Sequence, residues 1–289
     1  MTKIKIYFYL FRYWQWLKNI IIFIPLLLTD ITNIKLLLDT FGLFILFSLF
    51  VSSTYVLNDI KDYKEDKKHP KKNKRPIASG EISIKESTII LIFLVLSTLC
   101  VAYYFYGLEI ITLFIFYLIL TIIYSFKIKY VNILDGLLVS ALYLNRLFIG
   151  AELANISVTF QLTLYIFVLS MFIFYLKKNS ILNTNNYSNK LKESIEKQEL
   201  SVPISMILNI LFVILNIVLI WWILDYFVTT LDFIFIFIFL LLHIILLKDL
   251  INFSNKGLLE DISRQIFSVN YLKLKLFTTL IFFILFYYI

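Results

Sequence analysis

Long apolar runs, separated by short charged segments, limit what this chain can become. A helix that crosses a bilayer needs about 20 mostly apolar residues. Nine stretches meet that requirement: 13–29, 40–60, 87–106, 108–126, 131–150, 159–177, 201–223, 231–250 and 271–289. They are continuously apolar, whereas strands of a membrane barrel would alternate apolar and polar residues. Only 16% of the 289 residues are charged and 61% are hydrophobic, too few charges for a water-facing surface. Six glycines and four prolines leave little loop chemistry. The expectation is an all-α integral membrane protein, a bundle of about nine transmembrane helices, with residues 1–289 forming a single polytopic membrane domain.

Charge orients the bundle. With the N-terminus in the cytoplasm, all but two of the 27 lysines and arginines fall in inner segments, as the positive-inside rule requires. The exceptions are Lys35, in an outer loop, and Arg146, within a span. The net charge of +8 therefore follows membrane topology and gives no reason to invoke nucleic acid. Cys100 is the one cysteine, so no intramolecular disulfide forms. Lys3, Lys5, Arg12 and Lys18 precede an apolar run without a small-residue cleavage pattern, which reads as a retained first helix. Chemistry is expected in the two largest inner loops, 58–86 and 177–200. Their recurrence in successive halves hints at pseudo-duplication.

The first of these loops begins NDIKDYKEDKKHPKKNKRPIASG, residues 58–80. Asn58, Asp62 and Asp66 recur every four residues and would share one helix face, with Asp59 close by. Such side chains offer hard oxygen ligands to Mg²⁺, which is commonly bound together with substrate phosphates. Lys67, Lys68, Lys71, Lys72, Lys74 and Arg75 follow, and cations of this kind hold phosphate oxygens. A solvated charged loop explains the lysines, but not carboxylates at helical spacing from the membrane edge, where ionisable groups are costly and usually functional.

The string N-D-x-x-D-x-x-x-D, followed by H-P and R-P-I-A-S-G, resembles the first signature of the UbiA superfamily of intramembrane prenyltransferases. That resemblance implies a bundle of nine transmembrane helices. It also implies that Asn58, Asp59, Asp62 and Asp66 bind Mg²⁺ and a diphosphate leaving group, with Asp62 and Asp66 catalytic. A narrower similarity is to polyprenyl-phosphate (decaprenyl-phosphate) phosphoribosyltransferases, whose N-terminal R-P-x-Q-W-x-K-N resembles Arg12-Tyr13-Trp14-Gln15-Trp16-Leu17-Lys18-Asn19. Tyr13 stands where proline is usual. Further similarities are Tyr124-Ser125 with Lys127 and Lys129, Asp135, Leu144 to Arg146 with Gly150, and Gly257 to Ile262.

Typical members of the superfamily carry a second aspartate-rich motif after the sixth helix. Here that place reads Tyr175-Leu176-Lys177-Lys178-Asn179-Ser180-Ile181-Leu182, with no carboxylate. It is similar to G-K-R-Y-x-E-L of the phosphoribosyl branch, with Asn179 in place of Tyr and the Glu missing. Cations there suit a phosphorylated acceptor, though lysines also commonly end inner helices. The resemblance implies phosphate binding by Lys18, Lys72, Arg75, Lys177 and Lys178, with Asn19, Tyr124, Lys127 and Arg146 as further candidates. Arg146 is as readily a structural partner inside the bundle. His69 reads as a loop residue and His243 as a core residue.

The implied activity is Mg²⁺-dependent transfer of a 5-phosphoribosyl group from phosphoribosyl diphosphate to a polyprenyl phosphate, supplying a lipid-linked pentose for an envelope glycan. The implied setting is a bacterial-type inner (plasma) membrane, with the site facing the cytoplasm and homo-oligomerisation open. The alternative within the superfamily is prenyl transfer from a prenyl diphosphate to a quinone precursor, haem or a lipid. A transporter or channel is the alternative from another class.

Overall fold

The computed structural model describes residues 3–29, 31–69, 72–128, 132–184, 203–226, 230–259 and 270–288. Among them the regular elements are all helical. The α-helices are α1 (Lys3–Leu10), α2 (Ile24–Leu27), α3 (Ile34–Asp66), α4 (Pro76–Ser79) and α5 (Ile84–Ile123), then α6 (Asn132–Ala154), α7 (Phe160–Asn183), α8 (Ile204–Tyr226), α9 (Thr230–Asn255) and α10 (Asn270–Tyr288). A 3-10 helix, Tyr13–Phe23, lies between α1 and α2, and a π-helical turn, Tyr124–Ile128, follows α5.

Six of the described helical stretches are long and apolar enough to cross a membrane, and the chain is an integral membrane protein. The expected spans 13–29 and 271–289 are not among these six. The first is built as an 11-residue 3-10 helix followed by the four residues of α2, with no single long helix. At the 3-10 rise of about 2 Å per residue those 11 residues cover about 22 Å. The expected break between 87–106 and 108–126 falls inside α5 at Gly107, with φ 87° and ψ −176°. That backbone is open to glycine alone. At 1.5 Å per residue the 40 residues of α5 amount to about 60 Å, twice the hydrocarbon thickness, so the stretch holds two spans' worth of chain.

By its internal contacts the chain divides into two compact units, 1–127 with 145–158, and 128–144 with 159–289. The core of the first unit is an aromatic cluster. Phe47 meets Phe114 edge-on at 5.0 Å between ring centres and Tyr117 at 5.1 Å, while Phe50 lies 4.9 Å from Phe114. Such pairs add to the burial of large apolar area. The second unit packs Phe172, Leu176, Leu208, Leu215, Leu247, Leu259 and Leu272. Ile89, Phe93, Leu96, Tyr104 and Phe105 of α5 are exposed, as side chains facing lipid can be.

A close seam holds the 3-10 helix in the first unit. Side chains three apart eclipse one another in this helix type, which puts Trp16, Asn19 and Ile22 on one face. Trp16 Nε1 donates to Ser52 Oγ at 3.0 Å and Asn19 Nδ2 to Ser48 Oγ at 2.9 Å. Those two serines lie one turn apart on α3. Across from them, Arg146 and Gly150 lie one turn apart on α6. A Cβ at Gly150 would fall on the Ile22 carbonyl, so the residue must be glycine for this approach. Gly150→Ala should therefore destabilise the protein by about 1–3 kcal/mol, read as a lower melting temperature in detergent. An unchanged melting temperature would show that the seam can open freely.

Candidate anion and metal site

The site in the first unit grows from the end of α3. Residues seven apart on a helix are offset by only about 20°, whereas residues eight apart are offset by about 80°. Asp59 and Asp66 accordingly share a face, and both side chains are buried, 2% and 3% exposed. Asn58, next to Asp59 on the same helix, accepts at its Oδ1 from Ser125 Oγ at 2.5 Å. Of the four expected residues Asn58, Asp59, Asp62 and Asp66, all on α3, Asp59 and Asp66 meet one arginine. Asp62 is half-buried on the same helix.

Arg75 connects the two carboxylates. Its Nη1 lies 3.0 Å from Asp59 Oδ1 and 2.5 Å from Asp66 Oδ2. Lys72 Nζ is 3.9 Å from Asp66 Oδ1. The local sequence explains the placement. Pro76 begins α4 and restricts the preceding residue to extended backbone, and Arg75 has φ −66° and ψ 141°. Ile77 and Ala78 are buried, and Gly80 ends the turn with φ 84°, so the loop is pinned and the Arg75 side chain is aimed back at α3.

Arg12 supplies a second guanidinium, ion-paired with Asp59 and 5.0 Å above the Tyr55 ring. Arg12 has left-handed backbone, φ 50° and ψ 49°, where the chain turns from α1 into the 3-10 helix. The sequence reading quoted Arg12 as the first residue of the Arg12–Asn19 segment without giving it a role. On α1, Tyr7 donates to Glu86 Oε1 at 2.8 Å. That bond and the glutamate charge raise the Tyr7 phenol above its ordinary pKa.

The other expected residues lie in distinct settings. Lys18 is half-buried on the 3-10 helix, and Tyr124 is half-buried at the start of the π-helical turn. The backbone of Lys127 belongs to that turn, but its side chain, like Lys71, Lys129, residues 185–200 and Glu260 to Ile262, lies outside the described residues. Lys61 donates to the Ser125 carbonyl and lies 4.6 Å from the Phe126 ring centre. Arg146 is buried, and its Nε donates to Asn19 Oδ1 at 2.7 Å and its Nη2 to the Tyr117 hydroxyl at 2.9 Å. Asn19 and Arg146 therefore form a buried network of their own.

In the second unit, Lys178 Nζ is 2.9 Å from Asp135 Oδ2, and its ammonium stands 5.1 Å from the Phe174 ring. The carboxylate missing from residues 175–182 is thus supplied by α6. Lys177 is exposed. Asn179 donates to Ser254 Oγ at 2.9 Å and Asn255 Oδ1 at 2.8 Å, tying α7 to α9. His243 Nε2 lies 2.7 Å from the Tyr165 hydroxyl, a buried core pair.

Asp59 and Asp66 supply hard oxygen donors that already converge on a cationic group. Among the described residues no cluster of three or more His, Cys, Asp or Glu could hold a metal. Magnesium is usually held by one or two carboxylates together with substrate phosphates. The donor set therefore fits a magnesium shared with a diphosphate, with the cations around it available to phosphate oxygens.

Several known proteins are similar to this chain. It is 34% identical over 148 residues to the uncharacterized protein y4nM of Sinorhizobium fredii, covering 50% of this chain and 28% of that protein. It is 33% identical over 145 residues to nodulation protein NoeC of Azorhizobium caulinodans, covering 50% and 47%. Decaprenyl-phosphate phosphoribosyltransferase of Mycobacterium tuberculosis is 26% identical over 147 residues, covering 49% and 48%. The chain thus spans about half or less of the length of these relatives. In fold it is similar to digeranylgeranylglyceryl phosphate synthase, with TM-score 0.65 and 20% identity over 99% of both chains. It is also similar to a UbiA homolog from Archaeoglobus fulgidus bound to GPP and Mg²⁺, with TM-score 0.61 and 15% identity over 98% of both. Residues 20–270 match the UbiA prenyltransferase family; the chain belongs to that family.

Proposed function

We propose that the chain transfers a 5-phosphoribosyl group from phosphoribosyl diphosphate to a polyprenyl phosphate in the membrane, with the Asp59–Asp66 site facing the cytoplasm. The observation that carries this reading is the cationic end of α7, where Lys177 and Lys178 occupy the place of a second aspartate-rich motif. The M. tuberculosis phosphoribosyltransferase supports the same branch.

Asp59 and Asp66, with Asn58 and Asp62 along the same helix, would hold Mg²⁺, which neutralises charge on diphosphate oxygens when bound. Arg75, Arg12, Lys72 and Lys18 bind and orient the phosphate groups. Their fixed charges stabilise the diphosphate as its bond to the anomeric carbon breaks. A polyprenyl phosphate oxygen, already anionic, forms the new bond to that carbon, so no general base is required. Lys177 and Lys178 hold the acceptor phosphate. The test combines purified protein, Mg²⁺, labelled phosphoribosyl diphosphate and polyprenyl phosphate. Label in the lipid phase that depends on both substrates supports the reading; none would sink it. Replacing Lys177 and Lys178 together by Gln should raise KM for the lipid phosphate about 100-fold or more with kcat changed less, because charge-assisted bonds contribute about 1.5–3 kcal/mol each. An unchanged KM would remove their role.

Prenyl transfer from a prenyl diphosphate is the second reading. It is favoured by Asp135, which brings a carboxylate to Lys178. Labelled geranylgeranyl diphosphate in the same assay, with a quinone precursor or lipid acceptor, would then give the labelled product.

A further inference from the structure

We propose that Arg75 is a specificity-determining residue that makes metal binding at Asp59 and Asp66 conditional on a diphosphate. The inference rests on the reading of these aspartates as the metal–diphosphate site and adds an order of binding to it. Two buried carboxylates are costly without positive charge close by. Arg75 meets both from one nitrogen, 3.0 Å from Asp59 and 2.5 Å from Asp66, and Arg12 pairs with the same Asp59 oxygen, Oδ1. A divalent cation arriving by itself therefore meets carboxylates already neutralised, and two guanidinium groups that repel it. A diphosphate changes the balance, since guanidinium binds phosphate oxygens as readily as carboxylate oxygens, often through two bonds.

The geometry lets Arg75 make that exchange. Its backbone is fixed by Pro76 and by hydrogen bonds from Arg75 N to Lys72 O at 3.0 Å and from Ser79 N to Arg75 O at 2.8 Å. The side chain is 27% exposed while its carboxylate partners are buried. It therefore has one end at the carboxylates and access to solvent, and it can turn onto an incoming anion without moving the loop. Lys72, 3.9 Å from Asp66 and 35% exposed, can follow it. Metal and diphosphate enter together, and a free divalent cation is disfavoured.

Mn²⁺ binding followed by electron paramagnetic resonance tests this without turnover. Methylenediphosphonate serves as the inert diphosphate, with correction for its own complex with Mn²⁺. Wild type should bind Mn²⁺ at least tenfold more tightly with the diphosphonate than without it. Arg75→Gln should bind Mn²⁺ alone at least tenfold more tightly than wild type does and gain little from the diphosphonate. Equal wild-type affinities with and without diphosphonate would overturn the proposal. So would an Arg75→Gln protein that melts like wild type and binds Mn²⁺ alone no better. If Arg75→Gln does not fold, the wild-type comparison decides alone. Asp66→Asn tests the underlying site separately: Mn²⁺ binding unchanged in that variant, with and without diphosphonate, would remove the aspartate site itself and leave no doubt about which claim failed.

Discussion

Asp66→Asn should lower turnover about 100- to 1,000-fold, the loss seen when one preorganised group that stabilises developing charge is removed. The substitution keeps the shape of the side chain. It removes a hard oxygen donor from a buried position and leaves Arg75 and Lys72, now 2.5 and 3.9 Å away, without their counter-charge. Breaking a buried ion pair from one side also destabilises a fold, by about 3–5 kcal/mol in the strongest cases. Melting temperature must therefore be measured beside turnover. A variant that inserts, purifies as wild type does and has lost activity assigns the effect to the site. Near-normal turnover would remove Asp66 from the chemistry.

Arg146→Ala should destabilise the first unit by about 3 kcal/mol, from two buried hydrogen-bond partners left unsatisfied at about 1–3 kcal/mol each. The partners are Asn19 Oδ1 and the Tyr117 hydroxyl, at 2.7 and 2.9 Å. The guanidinium also lies 5.1 Å from the Tyr117 ring centre, a contact the truncation loses. Because Asn19 in turn bonds Ser48, the loss should loosen the 3-10 helix that carries Lys18, and KM for the donor should rise with the fall in stability. Arg146→Lys keeps the charge but not the planar fork, so it should rescue only part of the stability. A melting temperature equal to wild type in Arg146→Ala would return Arg146 to the substrate-binding candidates.

Much of this was legible in the sequence because it is local. Apolar runs of spanning length marked the helices, and Gly107 marked the interruption of α5 because its backbone excludes other residues. The meeting of Arg75 with Asp66 was nearly readable, since nine positions and one tight turn separate them. The close pairing of Asp59 with Asp66 was not singled out among the four residues, although it follows from helix geometry: seven residues nearly complete two turns. Contacts distant along the chain left no such signal. Arg12 reaches Asp59 across 47 positions through a left-handed residue that no composition or period announces. Asp135 reaches Lys178 from another helix, so a segment read as free of carboxylate acquires one in space. The 3-10 form of Tyr13–Phe23 was also hidden, because an apolar run does not say how tightly it will wind.

The most direct measurement uses phosphoribosyl diphosphate carrying radiophosphorus either on its 5-phosphate or in its diphosphate, with polyprenyl phosphate, Mg²⁺ and purified protein. Phosphoribosyl transfer breaks the bond between the anomeric carbon and the diphosphate. The 5-phosphate label should therefore enter the lipid phase and the diphosphate label should be released into water, with both movements lost in Asp66→Asn. No lipid label from either substrate, beside transfer of labelled isoprenoid carbon from a prenyl diphosphate to an acceptor, would contradict the account.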